Sequence, residues 1–399
     1  MATEKIILFN LHYSPNLGDG LIGACMVHAL STLRPGAQVV PIDISGRNGF
    51  GAVTVRNRNL ALKVLRVLPL GLRQRAVHRR LSALLDGVED RWRKALDGAG
   101  MALIGGGQLF SDADLNFPVK MDRVGQLLAE AGVPAAIHAV GVSENWTPWG
   151  RRLFSRLCEA DLRAVGVRDA PSLAAWRAQA GGDCPGARLT RDPGLLSEAA
   201  FGPRAPGQAI ALGITAPDIL SYHADAGVAG GGGIAFYEEL ALSLVARAGR
   251  VRLFCNGADE DAAALAAVAG RPAIQGAIAA GQIECARVPA TPKELVDTVA
   301  TCRAVISHRL HACILGHAYG RPVVGMGWDR KVESFFDSVG LESCFVGRTG
   351  AAPATVADIM VSAIANGVDR DRQAAVIRDT WEGLESTLAD LTEQGRGAA

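Results

Sequence analysis

Residues 5–44 read KIILFNLHYSPNLGDGLIGACMVHALSTLRPGAQVVPIDI. An apolar run, KIILFN, ends in a polar turn. A helical pattern, LIGACMVHALSTL, leads from there to a second apolar run, QVVPIDI. Strand, helix and strand in that order form a βαβ unit, which requires a parallel sheet. The alternation continues through MALIGGG, LLAEAGV and AAIHAVGVS. A second series follows: AIALGIT, the helix FYEELALSLVARA, VRLFCN, a helix around ELVDTVATC, AVISH, the helix LHACILGHAYG and PVVGMGW. The expected class is α/β, with two Rossmann-like domains facing a cleft.

Length agrees with this division, because 399 residues exceed what one ordinary core covers. The boundary falls in SEAAFGPRAPGQ, which is rich in Pro, Gly and small residues and has no periodicity. The expected domains are therefore 1–196 and 209–399, joined by a linker at 197–208, with C-terminal helices packing back on the N-terminal domain.

With 41 Lys and Arg against 40 Asp and Glu, the global charge gives no nucleic-acid footprint. The N-terminus lacks the pattern of a signal peptide, and no apolar run reaches the ~18 residues of a membrane span, so a cytoplasmic location is expected. Cys25, Cys158, Cys184, Cys255, Cys285, Cys302, Cys313 and Cys344 are scattered singly, without a CxxC pair. They are expected to be small core residues in a reducing compartment.

Local charge is uneven. Residues 44–85 contain no acidic side chain, yet include Arg47, Arg56, Arg58, Lys63, Arg66, Arg73, Arg75, Arg79 and Arg80. The segment 47–80 is either a basic face for peripheral contact with anionic lipid or a solvated helix face interrupted at Pro69 and Gly71. The glycine run at 227–233, GVAGGGG, is either a lid or a linker.

Ligands of open α/β sheets bind beyond the carboxyl ends of the strands, so the strand-to-helix junctions carry the candidate chemistry. In NLHYSPNLGDG, Asn16, Gly18 and Asp19 precede a helix expected to begin near Leu21. Asp19 is either a helix cap or a residue acting on a sugar hydroxyl. Gly105, Gly106 and Gly107 follow the strand MALI and permit close approach to backbone. Arg168 and Asp169 end a strand in AVGVRDAPS, where they form either a surface pair or a site element, and Asp192 in RDPGL reads as a turn former. In SHRLHACILGHAYGRPV, Arg309 and His311 open a helix whose N-terminus favours an anion. Arginine supplies a bidentate fork there and histidine a proton near neutral pH. His317 lies with Leu310 and Ile314 on the face toward the sheet and reads as core. His308 and His311 lack the companions of a familiar metal motif, so no metal is expected. Lys331 lies at the next strand-to-helix turn.

Taken in order, NLGDGLI, LIGGGQLF, GVRDAPS, SHRLHACILGHAYGRPV and WDRKVESFF resemble the polysaccharide pyruvyl transferase family. The resemblance implies a GT-B-like pair of Rossmann-like domains. It also implies transfer of pyruvate from phosphoenolpyruvate, a donor substrate with no cofactor, to a hydroxyl pair of a glycan or lipid-linked glycan. Arg309, Leu310 and His311 would then be the donor site, with Arg168 and Lys331 as further contacts. The NLGD element and the turn at Gly105, Gly106 and Gly107 would lie across the cleft, nearer the acceptor. His311 would be the acid and Asp19 the base. A nucleotide-sugar glycosyltransferase, a sugar epimerase or a non-catalytic anion or glycan sensor would share the architecture. Loss of turnover with retained binding on replacing His311 separates the enzymes from the sensor.

Overall fold

The two apolar runs form strands β1 (Lys5–Asn10) and β2 (Gln38–Asp43), paired parallel with Asn10 opposite Asp43 and joined through the Leu17–Leu33 helix. The computed structural model that contains them describes residues 4–51, 69–218, 220, 233–327, 330–347 and 351–393. Strands β3 (Met101–Gly105), β4 (Ala135–Val140), β5 (Leu162–Val167) and β6 (Ala187–Leu189) complete a six-stranded parallel sheet of order β2-β1-β3-β4-β5-β6. Its middle strands are largely apolar because both faces are covered, and β3 and β4 bury every residue. Packed beside the sheet are Phe110, Trp146, Phe154 and Trp176, whose rings meet at 4.5–6.3 Å.

A second parallel sheet holds β7 (Ile210–Gly213), β8 (Val251–Phe254), β9 (Ile283–Cys285), β10 (Ala304–Ser307), β11 (Val323–Met326) and β12 (Phe345–Val346). Their order is β12-β11-β10-β7-β8-β9. Both sheets start near the middle and build outward in two directions. That leaves a topological switch point between β1 and β3 in one sheet and between β7 and β10 in the other.

The chain divides into two compact units. The first contains the chain up to Tyr13, Met26–Pro193 and the residues from Thr380 onward. The second contains Ser14–Cys25 and Gly194–Asp379. The changeover thus comes at Pro193–Gly194, just ahead of 197–208, and the NLGD turn belongs to the second unit although its flanks belong to the first. In the first unit Thr387 Oγ1 meets His138 Nδ1 at 3.0 Å, and Arg188 pairs with Asp390 at 2.5 Å.

Three local expectations are corrected. The first helix begins at Leu17, not near Leu21, so Gly18 and Asp19 sit in its first turn. Pro69 does not interrupt the Leu70–Leu96 helix. It stands at the N-cap of the Leu70–Leu96 helix, where its missing N–H costs nothing, and Gly71 is accommodated in the first turn. Cys158 and Cys184 are not solitary, because the fold joins them in a disulfide across 26 residues. Arg56, Arg58, Lys63 and Arg66 lie outside the described residues, as does 227–232 of the glycine run. Among the described residues no single helix is long and apolar enough to cross a membrane.

Candidate functional site

In the second unit the carboxyl ends of β7, β8 and β10 gather polar side chains around the switch point. Strand β10 ends at Ser307, and Arg309 occupies the N-cap of the Leu310–Ala318 helix with extended backbone angles. The Ser307 hydroxyl accepts the Arg309 backbone N–H at 2.9 Å, which fixes the tight turn from strand to helix. Asp261, in the first turn of the Asp259–Ala269 helix, takes the Arg309 guanidinium as a fork. Nε and Nη2 each reach a carboxylate oxygen at 2.9 Å. The Asp261 side chain has no solvent exposure and also accepts the Ala216 backbone N–H at 2.9 Å. The orientation of Arg309 is therefore set by a buried carboxylate, and the cation is delivered to a helix N-terminus that already favours anions.

His311 follows in the first helical turn and is nearly buried. A Cβ at Gly18 would come within 2.4 Å of His311 Nδ1, so the absent side chain is what lets the NLGD turn lie against the imidazole. The turn is fastened by Leu17, whose N–H donates to the Asn256 carbonyl at 3.1 Å and whose side chain packs against Gly257. This corrects the expected placement. Gly18 and its neighbours touch the helix of Arg309 and His311 instead of lying across from it. Asp19 is not a backbone cap; its Oδ2 accepts the Ser14 hydroxyl at 3.0 Å and the Asn16 amide at 3.4 Å. That arrangement holds a half-buried carboxylate one residue from the glycine that touches His311.

The remaining residues of SHRLHACILGHAYGRPV have structural roles. Leu310 is buried. His308 is fully enclosed, with its Nδ1 2.9 Å from the Tyr237 hydroxyl, which in turn accepts the Thr215 N–H at 3.1 Å. Burial, with Arg309 adding to it, pulls the His308 imidazole down to about 3, so it is neutral and braces the turn. His317 is buried, as a core residue is expected to be, but its edge-on partner Phe335 lies on the Arg330–Ser338 helix and not on the sheet. Lys331 is half-buried in the first turn of the Arg330–Ser338 helix, which packs against the helix carrying Arg309's motif.

Sequence reasoning missed Asp261, Asn256, Thr215 and Tyr237. The Asn256 amide and the Thr215 hydroxyl are buried at the ends of β8 and β7 without a hydrogen-bond partner among the described residues. Buried polar groups are rarely left so, and here they cluster beside the switch point. Among the described residues no three His, Cys, Asp or Glu side chains converge as a metal-ligand set.

The first unit holds Arg168 and the glycine turn. Gly106 and Gly107 adopt φ of 72° and 78°, which a side chain would strain, and a Cβ at Gly105 would strike Met26 and the His138 carbonyl. Arg168 lies one residue past β5 with 5% of its side chain exposed. It donates to Gln108 Oε1 at 2.6 Å and pairs with Asp169 at 3.3 Å and Asp192 at 3.8 Å. Asp192 is thus a charge partner, not merely a turn former, and Asp169 also caps the Ala170–Gln179 helix through the Ser172 N–H. The structure brings together Arg309, His311, Gly18 and the Asn16–Asp19 turn, and it places Arg168, Gly105, Gly106 and Gly107 in the other unit.

Comparison with known proteins bears on both fold and family. No curated protein matches the chain. Among solved structures, TcCGT1 in complex with UDP aligns at 10% identity over 99% of each chain with a TM-score of 0.55. MnaA of S. aureus with UDP aligns at 10% identity over 95% of this chain and 91% of that one, with a TM-score of 0.51. A putative UDP-N-acetylglucosamine 2-epimerase from Listeria monocytogenes gives 10% identity, 96% and 94% coverage and a TM-score of 0.51. At such identities the likeness is one of fold, that of GT-B-like paired Rossmann domains. The model of the family described as polysaccharide pyruvyl transferase matches residues 16–330. That span holds the NLGD turn, the glycine turn and the Arg309–His311 helix, and the chain belongs to the polysaccharide pyruvyl transferase family.

Proposed function

We propose that this pyruvyl transferase takes its pyruvyl group from phosphoenolpyruvate and sets it as a ketal on a hydroxyl pair of a glycan or lipid-linked glycan precursor, for a cell-surface polysaccharide. The observation that carries the reading is the Arg309 fork, locked by buried Asp261 at the N-terminus of the helix that bears His311. Phosphoenolpyruvate presents a carboxylate and a phosphate, and a preorganised guanidinium beside a helix N-terminus matches such an anion without reorganising.

In this mechanism His311 protonates the methylene carbon, and C2 becomes an oxocarbenium-like centre. A sugar hydroxyl adds to C2 and gives up its proton, for which Asp19 is the nominated acceptor. The C2–O bond to phosphate then breaks. The second hydroxyl closes the ketal and loses its proton in turn. Arg309, with Lys331 as a further candidate cation, stabilises the carboxylate and the departing phosphate. The test is to incubate the full chain with phosphoenolpyruvate and candidate glycans, following phosphate release and the ketal methyl resonance by NMR. Consumption of a uridine diphosphate sugar with no use of phosphoenolpyruvate would overturn the donor assignment.

A cytoplasmic enzyme acting on a lipid-linked acceptor would work at a membrane surface. Arg75, Arg79 and Arg80 are exposed on the Leu70–Leu96 helix, together with Leu70 and Leu72, each at least half exposed. This combination supports peripheral contact with anionic lipid. Salt-sensitive sedimentation with phosphatidylglycerol vesicles, but not with phosphatidylcholine vesicles, is the expected result. Equal sedimentation with both would reject it.

A further inference from the structure

The first unit carries a second polar cluster, at the carboxyl ends of β1 and β2, that the mechanism above does not use. Asn10 and Asp43 end these neighbouring strands as register partners, so their side chains fall on the same face of the sheet. The Asp43 carboxylate is held rigidly: Oδ2 accepts the Tyr13 N–H and Oδ1 the Ser45 N–H, both at 2.8 Å, and Arg47 stands 3.5 Å away. From the Asn116–Ala131 helix, Lys120 reaches in to donate to the Ser45 hydroxyl at 3.0 Å, its ammonium 5.2 Å from the Phe117 ring centre. Lys120 is only 5% exposed, unusual for lysine, and burial draws its ammonium down to about 8, with Arg47 reinforcing the effect and Asp43 opposing it. Asn10 is 1% exposed, and neither its amide nitrogen nor its oxygen has a partner among the described residues. At the rim stand three half-buried rings: His12 and Tyr13 meet edge to face at 4.7 Å, and Tyr13 meets Phe50 at 5.1 Å.

A lysine serving only to tie the fold together would be expected to face a carboxylate directly, and a core asparagine would be expected to find partners. Here two cationic donors and a two-way amide surround a fixed carboxylate that holds the Tyr13 backbone, at the strand ends where open sheets bind ligands. That mixture suits a polyol with one apolar face. An ammonium and an amide can each engage adjacent hydroxyls, while a ring face covers the sugar's C–H surface.

We propose that the cluster of Asn10, Asp43, Lys120, Tyr13 and Phe50 is a pyranoside-binding site of the first unit. Lys120 and Asn10 hold neighbouring hydroxyls, the enclosed Asp43 carboxylate fixes the turns that carry Tyr13 and Ser45, and Tyr13 with Phe50 carries the ring. That this sugar is part of the acceptor rests on the function proposed above; the binding itself does not.

The test uses saturation-transfer NMR on the full chain, without phosphoenolpyruvate, with methyl β-D-galactopyranoside and methyl β-D-glucopyranoside as probes. At least one should show transfer to its ring protons. Phe50→Ala, at the half-buried rim, should weaken that probe about tenfold, equivalent to ~1.4 kcal/mol. Lys120→Met, which keeps the side chain's length and apolar stem, should abolish it, with circular dichroism confirming the fold. Absence of transfer for both probes, or affinity unchanged in Phe50→Ala, overturns the site. Pyruvyl transfer with an acceptor KM indifferent to Phe50→Ala would reject this site while the function stands. Pyranoside binding lost in both variants, in a protein that never consumes phosphoenolpyruvate, would leave the site standing and reject the function.

Discussion

Arg309 is placed by Asp261, and the pair makes a direct experiment possible. Asp261→Asn keeps the shape but removes the charge that holds the guanidinium plane, weakening the support of a partly buried cation. Breaking a fully buried pair costs about 3–5 kcal/mol; with 16% of the Arg309 side chain exposed, a loss of ~2 kcal/mol in urea unfolding is expected. The phosphoenolpyruvate KM should rise as well. Arg309→Ala should lower pyruvyl transfer by about 10²–10³-fold, the scale for removing one preorganised charge-stabilising donor. Gly18→Ala is a separate probe of the same site. Gly18 is not among the residues with positive φ, so its backbone accepts alanine, but the new Cβ would have to displace His311. Turnover should fall, and the melting temperature with it, because the clash extends to His311 Cβ and overpacking of this kind costs about 1–3 kcal/mol; unchanged turnover would remove His311 from the chemistry. Arg309 and His311 were legible in the sequence because a strand-to-helix junction is local. Asp261 was not, since 48 residues separate it from Arg309 and only the sheet order, with β7 between β8 and β10, brings them together.

At the level of elements, periodicity located the central strands because they are buried in parallel sheets and read as continuous apolar runs, but not the short edge strands β6, β9 and β12, of which β6 and β9 carry charged, partly exposed residues. It was less reliable where chemistry at the ends decides. The Leu17–Leu33 helix starts earlier than its apolar pattern because Ser14 and Asn16 organise Asp19 and the Asn16 carbonyl accepts the Asp19 N–H at 3.0 Å. The sequence offers the Leu70–Leu96 helix only as one alternative for the basic segment 47–80, yet the helix extends past that segment and buries Leu85, Trp92 and Leu96 on one side. Its second glycine, Gly87, lies in the helix interior, where an added Cβ would meet nothing within 4 Å. Gly87→Ala should therefore stabilise the protein by about 0.4–1 kcal/mol, by restricting the unfolded chain and favouring the helix. Thermal unfolding followed by circular dichroism checks the sign. A destabilisation would mean that the helix face at Gly87 packs against something in solution.

Over the whole molecule, the division into two Rossmann-like halves followed from length and alternation, but the exchange of segments did not. No composition shift marks Ser14–Cys25 as belonging to the second unit or Thr380 as the return to the first, because both changeovers fall near or within helices whose patterns continue through them. Each unit also encloses a histidine. His138 in the first unit, against Thr387, is drawn down to about 3 by burial and then by Arg188, with Asp192 opposing. His308 in the second is drawn to about 3 by burial and Arg309. Both are neutral when folded, whereas an unfolded histidine takes a proton near pH 6.5. Between about pH 6.5 and pH 3 the unfolded chain therefore binds one more proton at each site, so stability is present above that window and is lost as pH falls through it. From pH 7 to pH 5 each histidine should remove ~2 kcal/mol from its unit. Urea unfolding at the two pH values measures the loss, and His138→Gln and His308→Gln should each cancel one share of it. If the Gln variants keep the full pH dependence, the acid sensitivity belongs to other groups and the two imidazoles are not held neutral by the fold.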